Sequence, residues 1–106
     1  MLFTETAAFT RRATELLDDE SYRLLQLRLL MCPDAGDLIE GTGGLRKIRV
    51  AARGHGKRGG ARVIYYHFIN ASEIAMLFIY PKNEQLDLSM EQRKALGNVI
   101  KNWRRP

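Results

Sequence analysis

The sequence predicts an α+β domain with the element order β-α-α-β-β-β-α, its helices packed on a mainly antiparallel sheet. Three observations predict it. Two runs with helical spacing of apolar residues lie almost directly against each other before residue 32. Three runs rich in β-branched and aromatic residues fill residues 45–80, separated by turns bearing glycine, asparagine and serine. A last helical run follows a Ser-x-x-Gln signature at Ser89 and Gln92. With 106 residues and 45% hydrophobic content, the chain suits one core and one domain over residues 1–106, and it carries no internal repeat.

Taken in order, Leu2–Glu5 reads as a short strand and Thr6 as the N-cap of a helix over Ala7–Leu17, with Phe9, Ala13, Leu16 and Leu17 as its apolar stripe. Asp18, Asp19 and Glu20 break that helix and favour the start of a second, through capping and the helix dipole. The second helix carries Tyr22, Leu24, Leu25, Leu29 and Leu30, reaches Met31 and is stopped by Pro33. The glycine- and aspartate-rich stretch Asp34–Gly44 reads as a loop. Its Gly41-Thr42-Gly43-Gly44 lacks the Gly-Lys-Ser/Thr ending of a phosphate-binding P-loop, so it reads as a turn feeding a strand. In Leu45–Ala51, Lys47 and Arg49 alternate with Ile48 and Val50, which gives a strand with one buried and one charged face. Arg53–Gly60 is a basic turn. Arg62–Ile69 is the clearest strand, Asn70–Ser72 a hairpin turn, and Ile74–Tyr80 a nearly all-apolar strand of a sheet interior that Pro81 ends. The last helix starts at Ser89 and lines Leu96, Val99, Ile100 and Trp103 along one face.

The net charge is +5, and its distribution is uneven. Residues 1–40 hold eight acids and four bases, residues 41–72 seven bases and no acid, and residues 73–106 six bases and four acids. A concentrated positive field on a small domain points to nucleic acid, an anionic membrane surface or an acidic protein partner. No stretch approaches the ~20 apolar residues of a membrane span, and the N-terminus lacks the layout of a signal peptide. Cys32 is the only cysteine, which excludes an internal disulfide and fits a reducing cytoplasm. It is expected as a small buried hydrophobe.

His55 and His67 are the only histidines, and no Cys/His cluster or His-Glu-x-x-His spacing is present, so no metal site and no cofactor is expected. Gly-x-Ser-x-Gly is absent and Cys32 has no arranged base, which argues against a nucleophilic triad. What remains is a set of fixed cations. If the 45–51 and 62–69 strands pair, Lys47, Arg49 and Arg62 share one face within reach of one phosphate, and Lys82, just past the third strand, can close the set. Such a set can cleave RNA without metal: the 2′-hydroxyl attacks the adjacent phosphorus, and arginines stabilise charge on the phosphoryl oxygens. A lysine crowded by cations is pushed towards its neutral form, so Lys47 and Lys82 are the base candidates, with Arg49 and Arg62 as electrostatic ones. Arg46, Lys57 and Arg58 add substrate-binding charge. Tyr66 points the same way as Arg62 by period-two alternation and can stack on a base, whereas Tyr65 points into the opposite face. The bland alternative is a solvated strand face, or a non-catalytic RNA- or DNA-binding module.

Gly41-Thr42-Gly43-Gly44-Leu45-Arg46-Lys47-Ile48-Arg49, then Gly56-Lys57-Arg58-Gly59-Gly60-Ala61-Arg62-Val63-Ile64-Tyr65-Tyr66, then Tyr80-Pro81-Lys82-Asn83-Glu84-Gln85 with Asp87-Leu88, resembles the HigB branch of RelE-like toxins in the RelE/ParE superfamily. The opening Phe3-Thr4-Glu5-Thr6 and the helical hairpin extend the resemblance over nearly the whole chain. It implies a RelE-like fold and the toxin of a type II toxin–antitoxin module, a cytoplasmic endoribonuclease that cuts mRNA in the ribosomal A site. It implies a cognate antitoxin, typically a helix-turn-helix HigA-like protein, so that operator DNA is met only through the complex. It assigns Lys47 and Arg49 to the basic pair of the first long strand, Arg62 to the arginine opening the next, and Lys82 to the basic position after the last. The tyrosine that some RelE members carry further on is missing, because Leu86-Asp87-Leu88 offers none. Glu84, Lys57 or a ribosomal group is left to take its role. A ParE-like gyrase inhibitor without nuclease activity is the competing member of the superfamily, and the retained cations disfavour it.

Overall fold

The computed structural model describes residues 1–52 and 56–103, without the side chains of residues 56–59. Its elements are β1 (Leu2–Glu5), α1 (Ala7–Leu16), α2 (Asp19–Met31), β2 (Asp37–Leu38), β3 (Arg46–Ala52), β4 (Gly56–Phe68), β5 (Glu73–Pro81) and α3 (Met90–Lys101). The caps lie where the sequence puts them. Thr6 Oγ1 accepts from the Phe9 N–H at 3.0 Å, and Asp18 Oδ1 from the Ser21 N–H at 2.7 Å. Ser89 and Gln92 form a reciprocal capping box at the start of α3.

The five strands form one sheet in the order β1-β5-β4-β3-β2. β1 runs parallel to β5, and every other pair is antiparallel. Strand alternation sends apolar side chains to both faces, so each face needs a cover. One face meets Phe9 of α1 and Leu25 and Leu29 of α2 through Ile48, Val63, Tyr65 and Met76. The other meets Leu96 and Ile100 of α3, with Trp103 beyond it, through Leu45, Ile64, Leu77 and Tyr80. After Glu73, which accepts from Thr4 Oγ1 at 2.7 Å, β5 is almost wholly apolar because it lies inside the sheet with both faces covered.

Besides one-residue shifts at the ends of α1, β3 and β4, several details differ from the sequence expectation. The 34–44 loop contains the two-residue strand β2, too short to show a period. β4 begins at Gly56 and not at Arg62, so the glycine-rich end of the expected turn is extended backbone paired to β3, as at Ala52↔Gly56. Backbone pairing asks nothing of side chains, which is why propensity missed it. Pro81 is the last residue of β5, one place beyond the expected end. Cys32 is exposed and not buried, because it caps the C-terminus of α2, where its Sγ lies 3.4 Å from Asp34 Oδ1.

The segment between α2 and β3 is pinned by Tyr65. Its buried hydroxyl accepts from the Gly36 N–H at 2.9 Å and donates to the Pro33 carbonyl at 2.7 Å. Burial raises its pKa, a shift that the Gly36 hydrogen bond opposes. A Cβ on Gly36 would lie 2.9 Å from both the Lys47 carbonyl oxygen and the Tyr65 ring, so glycine is required for the close approach. Arg46 completes the clamp by donating to the Gly36 carbonyl at 2.7 Å and to that of Asp34 at 3.3 Å. Tyr65→Phe should strand two backbone groups and cost about 1–3 kcal/mol, seen in urea unfolding as a lower midpoint with an unchanged slope.

Candidate nucleic-acid interface

The register of β3, β4 and β5 sets the site. Arg49 lies opposite Arg62, Arg62 opposite Tyr80, and Lys47 opposite Ile64. Directly paired residues share a face. Ile64 and Tyr80 belong to the core under α3, so Lys47, Arg49 and Arg62 project on that same face. α3 covers one end of it, over Tyr66 and Phe68, and leaves the cationic end open. There a cleft of about 590 Å³ is lined by Lys47, Arg49 and Arg62, together with Arg28 of α2, Asp37 of β2 and Leu86.

The three cations differ in state. Arg62 is only 9% exposed, and its Nη1 is buried with no hydrogen-bond partner among the described residues. Arg49 is exposed and has no carboxylate partner among the described residues. Lys47 Nζ is held by Asp87 Oδ1 at 2.6 Å. Crowding by cations alone, expected for Lys47 from the sequence, is therefore not its environment. The Lys47 hydrogen bond and charge hold the Asp87 carboxyl below its ordinary value, and Arg93 and Arg62 add to the effect.

Asp87 reaches Lys47 because α3 anchors the loop that carries it. Gln92 Oε1 accepts from the Ser89 N–H in the capping box and from Gln85 Nε2 at 2.8 Å, and Gln85 Nε2 also donates to the Asp87 carbonyl at 2.9 Å. Beneath the loop lies Tyr80, 1% exposed, whose hydroxyl, like Arg62 Nη1, lacks a partner among the described residues. Burial, then the Asp87 charge, pushes the Tyr80 pKa up against the opposing Arg62 and Arg93. Two unpartnered polar atoms on directly paired residues mark this corner as built for something other than stability.

The other expected site residues are placed apart. β5 pairs with β4 as required, and the Lys82 N–H donates to the Gly60 carbonyl at 3.0 Å, one rung beyond Ala61↔Pro81. The Lys82 side chain is exposed at the rim and does not line the cleft. Arg46 donates to the Gly36 and Asp34 carbonyls, which makes it a clamp on the loop. Tyr66 does share the Arg62 face, but it is half-buried, edge-on to Phe68 at 4.7 Å and packed where a Gly44 Cβ would stand 3.0 Å from its ring. The side chains of Lys57 and Arg58 lie outside the described residues. Glu84 is tied to Arg12 of α1 at 3.0 Å. Arg28, Asp37 and Asp87 were missed by sequence reading. The signal for Asp87 was its place two residues before the Ser89 cap.

A family model for the RelE toxin of the RelE/RelB toxin–antitoxin system matches residues 34–105. Among solved structures, the chain is similar to the E. coli toxin RelE in the free state, as a mutant with two arginines changed to alanine: identity is 12%, 97% of each chain is covered, and the TM-score is 0.59. That likeness concerns the fold and extends it over α1 and α2, which the family model leaves out. Together they make the residue-level resemblance a family assignment: the chain belongs to the RelE toxin family, the toxin half of a toxin–antitoxin pair.

Proposed function

We propose that the protein is a cytoplasmic, metal-independent endoribonuclease that cleaves mRNA on the ribosome and that its antitoxin holds silent. The observation that carries the reading is the convergence of Lys47, Arg49 and Arg62 on one open cleft at the uncovered end of the sheet. In such a cleavage the 2′-oxygen bonds to the adjacent phosphorus and the 5′-oxygen leaves, giving a 2′,3′-cyclic phosphate and a 5′-hydroxyl. Negative charge grows on the phosphoryl oxygens as the bond forms. Arg62, with a guanidinium nitrogen already dehydrated and unpartnered, and Arg49 above it meet that charge with little reorganisation. Lys47 exchanges the Asp87 carboxylate for a phosphoryl oxygen and acts as a cation rather than as a neutral base. Lys82 at the rim steers the flanking backbone phosphate.

Ribosome dependence has a physical rationale in the same geometry. Of the protein groups considered for proton transfer, Lys47 and Glu84 are ion-paired, and the exposed Lys82 side chain does not line the cleft. The cleft supplies orientation and charge neutralisation, and the decoding site supplies the missing proton acceptor and the strained mRNA. HigB-type specificity and a helix-turn-helix antitoxin follow from the residue-level resemblance and share its tests.

Removing one such donor costs on the order of 100-fold or more in rate. Arg62→Ala should therefore abolish cleavage of a translated transcript, read by primer extension, while thermal unfolding holds or rises, because a buried guanidinium nitrogen with no partner among the described residues has been removed. Unchanged cuts would remove Arg62 from the site, whereas supercoiling inhibition by pure protein would favour the gyrase-inhibitor reading. For the Lys47–Asp87 pair, a depressed folded pKa means that the ion pair persists above the ordinary aspartate value and is lost as pH falls through the depressed one. Carbon-13 titration of Asp87 should give a midpoint below that ordinary value, and Lys47→Ala should move it back up.

A further inference from the structure

Two buried donors behind the cleft face no phosphate. Besides Arg62 Nη1, the Tyr80 hydroxyl and Arg93 Nε are buried without a hydrogen-bond partner among the described residues. Arg62 lines the cationic cleft, but Tyr80 and Arg93 do not. Arg93 borders a smaller cavity of about 200 Å³, which it shares with Lys47, Asp37, Glu40 and Asp87. A phosphate held by Arg49 and Arg62 therefore reaches neither donor. Folds seldom leave such groups orphaned, so an acceptor has to come to them from within the chain. Three acids border the small cavity. Asp37 sits on β2, in register with Lys47 of β3. Glu40 offers Arg93 its carbonyl, 3.5 Å from Nη1. Asp87 precedes Leu88, which packs with Tyr80 in one apolar cluster. Its charge also acts on Tyr80, and the charge of Arg93 acts on it in turn.

The Asp87 side chain is free to move. It is 61% exposed, and its carboxylate makes one contact among the described residues, Oδ1 on Lys47 Nζ. We propose that Asp87 is a two-position carboxylate and that Tyr80 and Arg93 are the positioning residues that receive it. It rests on Lys47 while the cleft is empty, and it retracts onto the Tyr80 hydroxyl and Arg93 Nε once Lys47 is drawn away. The hydroxyl donates to one carboxylate oxygen and Nε to the other, so a single side-chain rotation satisfies both orphans. The backbone need not follow, because Gln85 holds the Asp87 carbonyl throughout. This deepens the ribonuclease reading and rests on it for the phosphate that draws Lys47 away. On that reading retraction leaves Lys47 a full cation for the phosphoryl oxygen. The displaced carboxylate is kept from returning as a competitor. The exchange itself requires only the loss of Lys47, which makes it testable without RNA.

The test compares the full chain with and without Lys47, by carbon-13 titration of Asp87. Beside Lys47, Tyr80→Phe should leave the Asp87 midpoint where it is, because the carboxylate is not on the hydroxyl. Lys47→Ala raises the midpoint part of the way, and adding Tyr80→Phe should raise it again by about half a pH unit or more, since a hydrogen bond to the charged form is lost. Arg93→Ala should likewise raise it by more in the Lys47→Ala protein than beside Lys47, and it gives a second reading should Tyr80→Phe disturb the fold. A crystal structure of Lys47→Ala should place the two Asp87 oxygens within about 3.2 Å of the Tyr80 hydroxyl and Arg93 Nε. Equal shifts from Tyr80→Phe with and without Lys47 would overturn the proposal. So would no shift in either protein, or an Asp87 left in solvent while a buried water bridges Tyr80 and Arg93. None of these readouts involves cleavage, so an Asp87 that retracts in an inactive protein would count against the ribonuclease reading alone.

Discussion

Two guanidinium groups facing each other across an antiparallel rung repel, and the rest of this molecule is arranged around that rung. Arg49↔Arg62 is fixed by the β3–β4 register, which a one-residue slip would turn inside out by sending Ile48, Val50 and Val63 to the wrong face. The apolar half of the ladder thus enforces a polar arrangement that is locally unfavourable. Arg62 adds a desolvation cost, since its nitrogen is buried without a partner. A fold keeps such a pair where the free energy of packing elsewhere tolerates it, and two buried faces on one sheet provide that packing. Local rules broken inside an otherwise consistent fold are the physical signature of a site.

α3 has two roles that meet at Gln92. Its body closes the apolar end of the sheet over Phe68 and Ile64. Its N-cap glutamine holds Gln85, and Gln85 holds the backbone of Asp87 against Lys47. A capping motif that in isolation only starts a helix thereby sets the anionic partner of a site lysine. On the other flank, the Tyr65–Gly36–Arg46 clamp brings β2 against β3 and puts Asp37 opposite Lys47. Asp37 lies on one side of the cationic cleft and Asp87 holds Lys47 from the other, the first placed by strand pairing and the second by the Gln85 side chain on its carbonyl.

Much of this was legible in residue patterns. Period-two alternation in Leu45–Ala51 and Arg62–Ile69 put Lys47, Arg49 and Arg62 on one face and separated Tyr65 from Tyr66, and the pairing partners agree. The caps at Thr6, Asp18 and Ser89 were readable because each needs one side-chain oxygen a fixed number of residues ahead of an N–H. Features that depend on contacts between distant segments were not readable. Arg46 looks like a binding residue in a basic run, yet the clamp on Gly36 decides its use. Lys47 looks crowded by cations until Asp87, forty residues on, arrives. Cys32 looks buried beside Met31 but falls at a helix end. The glycine-led start of β4 has no side-chain signature because backbone pairing carries it.

The parallel strand β1 also bears on how the chain acquires its shape. Phe3 pairs with Ile74 across most of the polypeptide, whereas β3, β4 and β5 are joined to their neighbours by short connections. Closing a long loop costs more entropy than closing a hairpin, so the meander forms early and the N-terminal strand docks late. On that order the two arginines of the central rung meet before β1 closes the flank of β5. The charged surface then precedes the complete sheet, with an uncovered hydrophobic strand as the hazard of that interval.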